Sequence, residues 1–319
     1  MNRKTTFFIL LAQLIILTGN SQSLLFTLQG NGGKVNTLQF SPDSKILLSG
    51  NQDGSIKSWD VNNSFKQTTS INPISESITN ISFSTDGKEV GVSTYKSFFV
   101  YNSSSLKKLK SKKKAHTTFV RCANFSKSGQ YIVSTSWRDN TIVIWKRSTL
   151  KVEKVLPETV WTDYAMFIND DKQIVSINHE NTIKVWDLAN GNLIQTLAGH
   201  TDWVYGILVS PDGKYLLSGS LDNTIKKWDL ASGKMVQTID AHKNGITWLS
   251  SSADGKYFIS SSLDKTAKLW SWETMQELAQ FSGHGGAVLE AVISPDNKYI
   301  ATGSLDKTIK IWEFPSNIK

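Results

Sequence analysis

Cysteine is almost missing from this sequence: Cys122 is the only one in 319 residues. No intramolecular disulfide can form, and no cysteine pair exists for a zinc site or a CxxC redox motif. Cysteine usage therefore leaves the compartment open. Histidine is nearly as scarce, with five residues. No concentration of paired carboxylates and no metal-like cluster accompanies them, so the sequence offers no catalytic, metal or cofactor motif. A membrane-spanning run is lacking too. The apolar stretch from Phe7 to Leu17, broken by Gln13, is shorter than the roughly 20 residues a span takes. Two positive charges precede it within Met1 to Lys4, and small and polar residues follow from Thr18 to Ser23. That order describes a secretory leader of residues 1–23, with an uncleaved interfacial anchor or a first strand as the alternatives. No cysteine follows the run, which argues against a lipid anchor. On this reading the chain is secreted or periplasmic; with an unprocessed N-terminus it is cytoplasmic. Losing Arg3 and Lys4 lowers the formal charge from +8 to +6. That mild excess suits acidic partners without marking nucleic acid.

What the chain does contain is a repeat. With 39% hydrophobic and 19% charged residues it can bury a core. Thr224-Ile225-Lys226-Lys227-Trp228-Asp229 recurs as Thr182-Ile183-Lys184-Val185-Trp186-Asp187 and as Thr308-Ile309-Lys310-Ile311-Trp312-Glu313. Looser copies end at Trp59, Tyr101, Trp145 and Trp270, and the aromatic positions are spaced by 42, 44, 41, 42, 42 and 42 residues. Seven copies fill the chain after the leader. Within a copy, apolar and polar residues alternate with period two, as in Lys214 to Gly219, Thr224 to Asp229 and Lys234 to Ile239. Ser210-Pro211-Asp212-Gly213 and its relatives Ser41 to Ser44, Ser84 to Gly87 and Ser294 to Asn297 supply tight-turn chemistry. Four strands per copy follow, and units with two apolar faces must stack on one another, most economically in a closed ring.

Gly199-His200 precedes Trp228-Asp229 by 28 residues, and Gly283-His284 precedes Trp312-Glu313 by the same step. Ala241-His242 to Trp270 is again 28, and Ala115-His116 to Trp145 is 29. In these features residues 24–313 resemble the WD-repeat β-propeller family. The expected fold is all-β, a single seven-bladed propeller over residues 24–319. Leu24 to Gly30 match Leu193 to Gly199, an outer strand, while the chain ends on an inner-blade strand, Ile309 to Trp312. The N-terminal outer strand should therefore pair with the C-terminal blade and close the ring.

The resemblance implies a hydrogen-bonded lock in each well-formed blade, built from His, a strand Ser or Thr, a turn Asp and Trp. The sets are His116, Asp139 and Trp145; His200, Asp222 and Trp228; His242, Asp264 and Trp270; and His284, Asp306 and Trp312. A buried indole N–H and a buried imidazole each need partners, so the roles are structural. A catalytic triad is the competing reading, but a nucleophile constellation does not recur blade after blade. Asn31 replaces His in the first repeat, Tyr101 replaces Trp in the second, and Glu158 and Glu180 stand at the His and Asp positions of the fourth.

Propellers of this family commonly bind through loops around one mouth of the central channel. Counting by phase places large aromatics and arginines in blades 3 to 5: Phe119, Arg121, Arg138, Trp161, Asp163, His179, Trp203 and Tyr205. These residue types are enriched in binding hot spots, although some rings, Trp161 above all, could instead fill gaps in the irregular fourth blade. The run Lys107, Lys108, Lys110, Lys112, Lys113 and Lys114 reads as a solvated outer edge, with contact to an anionic polymer or membrane surface as the alternative. Asn-x-Ser tripeptides at Asn62, Asn80, Asn102 and Asn124 are weak glycosylation signals. The expected function is a non-enzymatic scaffold for a protein or peptide partner on the loop face of blades 3 to 5. A glycan- or ligand-binding propeller outside the cytoplasm is the alternative, followed by an enzyme at the channel mouth around Asp163 and His179.

Overall fold

A computed structural model describes residues 22–29, 31–72, 75–158 and 160–318. The predicted leader therefore lies outside the described residues except for Gln22 and Ser23. The described chain forms seven four-stranded antiparallel sheets and no α-helix. Blade 5 shows the unit, with strands Val204–Val209, Tyr215–Ser220, Thr224–Asp229 and Met235–Asp240 running from the channel outward. Blades 1 to 4 span 35–71, 80–112, 120–157 and 162–198, and blade 6 spans 246–281.

In five blades the turn joining the two innermost strands is fixed by a Ser-x-Asp pair. In blade 5 the Ser210 hydroxyl donates to Asp212 Oδ1 at 2.6 Å, Lys214 N–H donates to the same oxygen at 3.1 Å, and Tyr215 N–H donates to Ser210 Oγ at 2.9 Å. Gly213 takes φ +72°, where a glycine has no side chain to strain. Ser41 with Asp43, Ser84 with Asp86, Ser252 with Asp254 and Ser294 with Asp296 repeat the arrangement.

Both faces of a blade are apolar, and neighbouring blades cover them. Leu216 and Leu217 are consecutive on one strand, point to opposite faces and are both fully buried, one in the cluster shared with blade 4 and the other in the cluster shared with blade 6. The ring closes through blade 7, whose inner strands Val288–Ile293, Tyr299–Ser304 and Ile309–Glu313 take Leu24–Leu28 as their outer partner. Phe26 faces Ile311 and Leu28 faces Ile309 in this pairing. Glu313 N–H donates to Ser23 O at 3.0 Å, and Asn31 Nδ2 donates to Lys307 O at 3.1 Å, so the clasp continues past both ends of the strand.

The locks form in four blades. In blade 5, His200 Nδ1 lies 2.7 Å from Asp222 Oδ2 and Nε2 lies 2.7 Å from Ser218 Oγ, while Trp228 Nε1 donates to the same hydroxyl at 2.8 Å. Blades 3 and 6 repeat this with Ser134 and Ser260, and blade 7 with Thr302. Burial would raise the pKa of Asp306, but the Thr308 hydroxyl and His284 hold it at about 2. Burial in turn lowers that of His284, so the pair stands as carboxylate and neutral imidazole at neutral pH. The Ser218 hydroxyl is fully buried, donating to His and accepting from Trp, with no freedom to act as a nucleophile.

The irregular blades close differently. In blade 4 Glu158 does not meet Glu180, which is exposed at the turn; Glu158 pairs instead with Lys184 Nζ, and Trp186 Nε1 donates to Ser176 Oγ at 2.9 Å. In blade 1 Trp59 Nε1 donates to Ser49 Oγ at 3.1 Å. Blade 2 has neither device: the Tyr101 hydroxyl and the Ser93 hydroxyl are buried without a hydrogen-bond partner among the described residues.

Candidate partner-binding face

The channel mouth owes its side chains to a repeated irregularity. The innermost strand of six blades slips register by one residue, between Val120 and Cys122, Thr162 and Tyr164, and Val204 and Gly206, for example. Such a bulge re-aims the extra side chain. The extra residues are Arg121, Asp163 and Tyr205 in blades 3 to 5, and all three line a channel cavity of about 500 Å³. Beside each bulge a carbonyl crosses the blade to the loop between the two middle strands: Trp161 O accepts from His179 N–H, and Trp203 O accepts from Leu221 N–H.

Blade 3 departs from the phase assumed for Arg138. Phe119 O accepts from Trp137 N–H, so Trp137, not Arg138, occupies the position of His179 and Leu221. Arg138 is the additional residue that stretches this repeat, with φ +99°, and its exposed guanidinium lies 5.2 Å from the ring centres of both Trp137 and Trp161. Trp137 is thus a site residue that counting back from Asp139 passes over. The one-residue excess in the His116 to Trp145 spacing was its signal.

Trp137 joins the predicted aromatics into an arc. Ring centres are 4.4 Å apart for Tyr95 and Phe119, 6.0 Å for Phe119 and Trp137, 5.5 Å for Trp137 and Trp161, 5.4 Å for Trp161 and His179, and 4.2 Å for His179 and Trp203. Phe119 and Trp161 are the most exposed, at 40% and 37%. The arc reaches back to Tyr95 of blade 2, one blade further than predicted. Tyr205, half-buried, stands at the rim of the channel.

Under the arc, charge is already spent. Arg121 Nε donates to Asp163 Oδ1 at 2.8 Å, and His179 Nε2 is 2.6 Å from Asp163 Oδ2. Trp137 Nε1 lies 3.0 Å from the same His179 nitrogen. A ring nitrogen has one in-plane position, so the Asp163 carboxylate and the Trp137 indole N–H compete for Nε2. Burial works to raise the pKa of Asp163, yet the Arg121 guanidinium and His179 hold it below the usual carboxylate range. Arg121, Asp163 and His179 are therefore a brace beneath the rings, with Asp163 and His179 buried and Arg121 half-buried at the cavity wall, its Nε committed to Asp163. A pKa held below the usual carboxylate range makes Asp163 a weak base, away from the near-neutral value that suits proton transfer.

Deeper in the channel, Tyr164 and Trp248 meet edge to face at 5.0 Å, and Gly206 is the intervening residue at that level in blade 5. A Cβ on Gly206 would lie 2.6 Å from Leu249 N. Glu290 is buried there with Leu38 N–H donating to Oε2 at 3.1 Å. Burial raises its pKa to about 8 against the opposing hydrogen bonds from Leu38 and Thr37. A raised folded-state value means stability that is complete below the unfolded value near 4.5 and is lost as pH climbs through about 8. Glu290→Gln should therefore gain on the wild type by up to about 1.4 kcal/mol per pH unit across that window. Urea midpoints at pH 5, 7 and 9 check this, and a constant difference between the two proteins would show that Glu290 ionises as it does in water.

The lysine run divides. Lys110 Nζ donates to Arg147 O at 3.0 Å, and Lys112 Nζ lies 5.0 Å from the Trp145 ring centre, whereas Lys107, Lys108, Lys113 and Lys114 are exposed. Asn80 and Asn124 are buried, which removes two of the four glycosylation tripeptides from consideration. Among the described residues no group of His, Cys, Asp and Glu is arranged to hold a metal, and no helix is long and apolar enough to cross a membrane.

Comparison with known proteins matches five segments, residues 22–60, 107–146, 191–229, 233–271 and 275–313, to the family described as "WD domain, G-beta repeat". The unmatched parts include the inner strands of blade 2 and most of blade 4, where the locks are missing or rebuilt. Among curated proteins, the chain is 29% identical to the nuclear distribution protein nudF of Aspergillus niger over 206 residues, covering 56% of this chain and 45% of that one. It is 25% identical to the pre-mRNA-splicing factor cwf17 of Schizosaccharomyces pombe over 174 residues, covering 54% and 51%. The alignments thus take in about half the length of these relatives.

Proposed function

Because the chain belongs to the WD domain, G-beta repeat family, whose propellers generally bind protein partners, we propose that it is a non-enzymatic scaffold capturing a protein or peptide on the aromatic arc of blades 2 to 5. The observation that carries this reading is the run of rings from Phe119 to Trp203, exposed at Phe119 and Trp161, over an already neutralised Arg121, Asp163 and His179 brace. Large rings with a polar rim are where binding energy concentrates. The glycan alternative would draw on the same rings, but they meet one another largely edge to face and offer few open faces for a sugar to stack on. Work outside the cytoplasm is part of the proposal. It rests on the leader of residues 1–23 alone and draws no support from the relatives, whose names refer to nuclear distribution and pre-mRNA splicing.

Phe119→Ala with Trp161→Ala removes the two most exposed rings and leaves the brace intact. Two hot-spot losses of about 2 kcal/mol each should weaken partner capture from native extracts roughly a hundredfold or more at an unchanged melting temperature. Equal capture by the double variant would refute the face. Intact-mass measurement of the same purified protein should show residues 1–23 removed, and a retained Met1 would overturn export.

A further inference from the structure

We infer that the partner presents an acidic segment, with carboxylates flanking an aromatic or aliphatic anchor; this rests on the proposed binding face and specifies what that face selects. The aromatic arc does not end at Tyr95 but runs into a basic edge. Lys96 Nζ lies 5.0 Å from the Tyr95 ring centre, and Lys96 O accepts a hydrogen bond from Ala115 N–H at 2.9 Å. That bond brings the exposed Lys113 and Lys114, which lead into Ala115, beside Lys96. Val120 N–H donates to Tyr95 O at 2.9 Å, which ties the same corner to Phe119. Arg138 stands at the other side, over Trp137 and Trp161.

None of Lys96, Lys113, Lys114 and Arg138 has a carboxylate partner among the described residues, whereas Arg121 below them is paired with Asp163. Lys96 against Tyr95 and Arg138 against Trp137 and Trp161, with the exposed Lys113 and Lys114 on the segment tied to Lys96, favour an anionic partner that also carries apolar groups. A single-stranded nucleic acid meets the charge requirement but not the shape. Successive bases stack on open ring faces, and here the Phe119, Trp137 and Trp161 rings are turned edge to face while Arg138 covers Trp137 and Trp161. A peptide side chain needs only an edge or a gap between rings, with its neighbouring carboxylates reaching the rim.

A displayed library of short random peptides is selected on the immobilised full chain, and peptides from the enriched pool are titrated by fluorescence anisotropy. The proteins compared are the wild type, Lys96→Glu with Lys113→Glu, and Phe119→Ala with Trp161→Ala; short oligo(dT) is the anionic control. The pool should be rich in Asp and Glu beside Trp, Phe, Tyr or Leu. Binding should weaken by about tenfold or more in the charge-reversed variant, whose melting temperature stays unchanged, and again between about 0.05 and 0.5 M NaCl. A pool without acidic enrichment, or equal binding by the charge-reversed variant, overturns the inference. If such peptides still lose binding to the ring variant, the face itself stands. Binding indifferent to the ring variant removes the face as well. Oligo(dT) bound more tightly than any selected peptide assigns the surface to nucleic acid and overturns the acidic-peptide class.

Discussion

Deleting Leu24 to Leu28 is expected to lower the unfolding free energy by far more than the loss of five exposed-looking residues suggests. The strand looks peripheral, since Leu24 and Leu25 are 45% and 40% exposed. Its other side is not. Leu28 is buried, and the Phe26 ring lies 5.7 Å from Phe65 of blade 1, which in turn meets Tyr299 of blade 7 edge-on at 5.3 Å. Full burial of a leucine or phenylalanine contributes about 1.5–3 kcal/mol; Leu28 is buried and Phe26 half-buried. Removing them also bares Ile309 and Ile311 and leaves the backbone of Ile309–Glu313 as an unpaired edge. A loss of about 3–5 kcal/mol is therefore expected, and the freed edge is a template for association between copies. Urea unfolding followed by tryptophan fluorescence measures the first effect and light scattering the second. An unchanged midpoint would show that the ring is not held at this seam.

This closure was legible in the sequence, and so were the turns and four locks, for one reason. Each rests on residues recurring in fixed phase, and the physical demand behind them is local. A Ser-x-Asp-Gly turn satisfies its own amides, and an indole N–H reaches a hydroxyl on the neighbouring strand. Residues on the inner-strand bulge could be found by phase too, because the bulge recurs in six blades. What phase could not supply was whatever broke it. One extra residue in blade 3 put Trp137 where Arg138 was expected, and Arg138 became a cap over the rings. Arg121 and Asp163 were both singled out as binding candidates, but their pairing runs between blades, across 42 residues, at a distance no motif encodes. The basic edge had been read as a property of the outer strand. The hydrogen bond from Ala115 to Lys96 brings its end beside the loop that carries Tyr95.

Blade 4 shows most sharply how a missing lock can be rebuilt, and it carries the second large prediction. Lys184 sits where Lys226, Lys268 and Lys310 stand in blades 5 to 7, so nothing in the repeat marks it. With Glu158 in place of His, its ammonium turns to that carboxylate, and the side-chain exposures fall to 11% and 0%. The ammonium also lies 6.0 Å from the ring centre of Trp186. Lys184→Ala leaves the Glu158 carboxylate in the blade without its cation, and breaking a buried pair from one side costs about 3–5 kcal/mol. Replacing both partners by apolar residues of similar volume, Lys184→Met with Glu158→Leu, removes the charge together with its desolvation and should restore most of the loss. Urea midpoints of the two variants against wild type decide the matter. Near-equal stability of Lys184→Ala would mean that the pair contributes little to holding blade 4. Recovery in the double variant would show instead that the pair is a substitute for the histidine lock, needed because the glutamate is there.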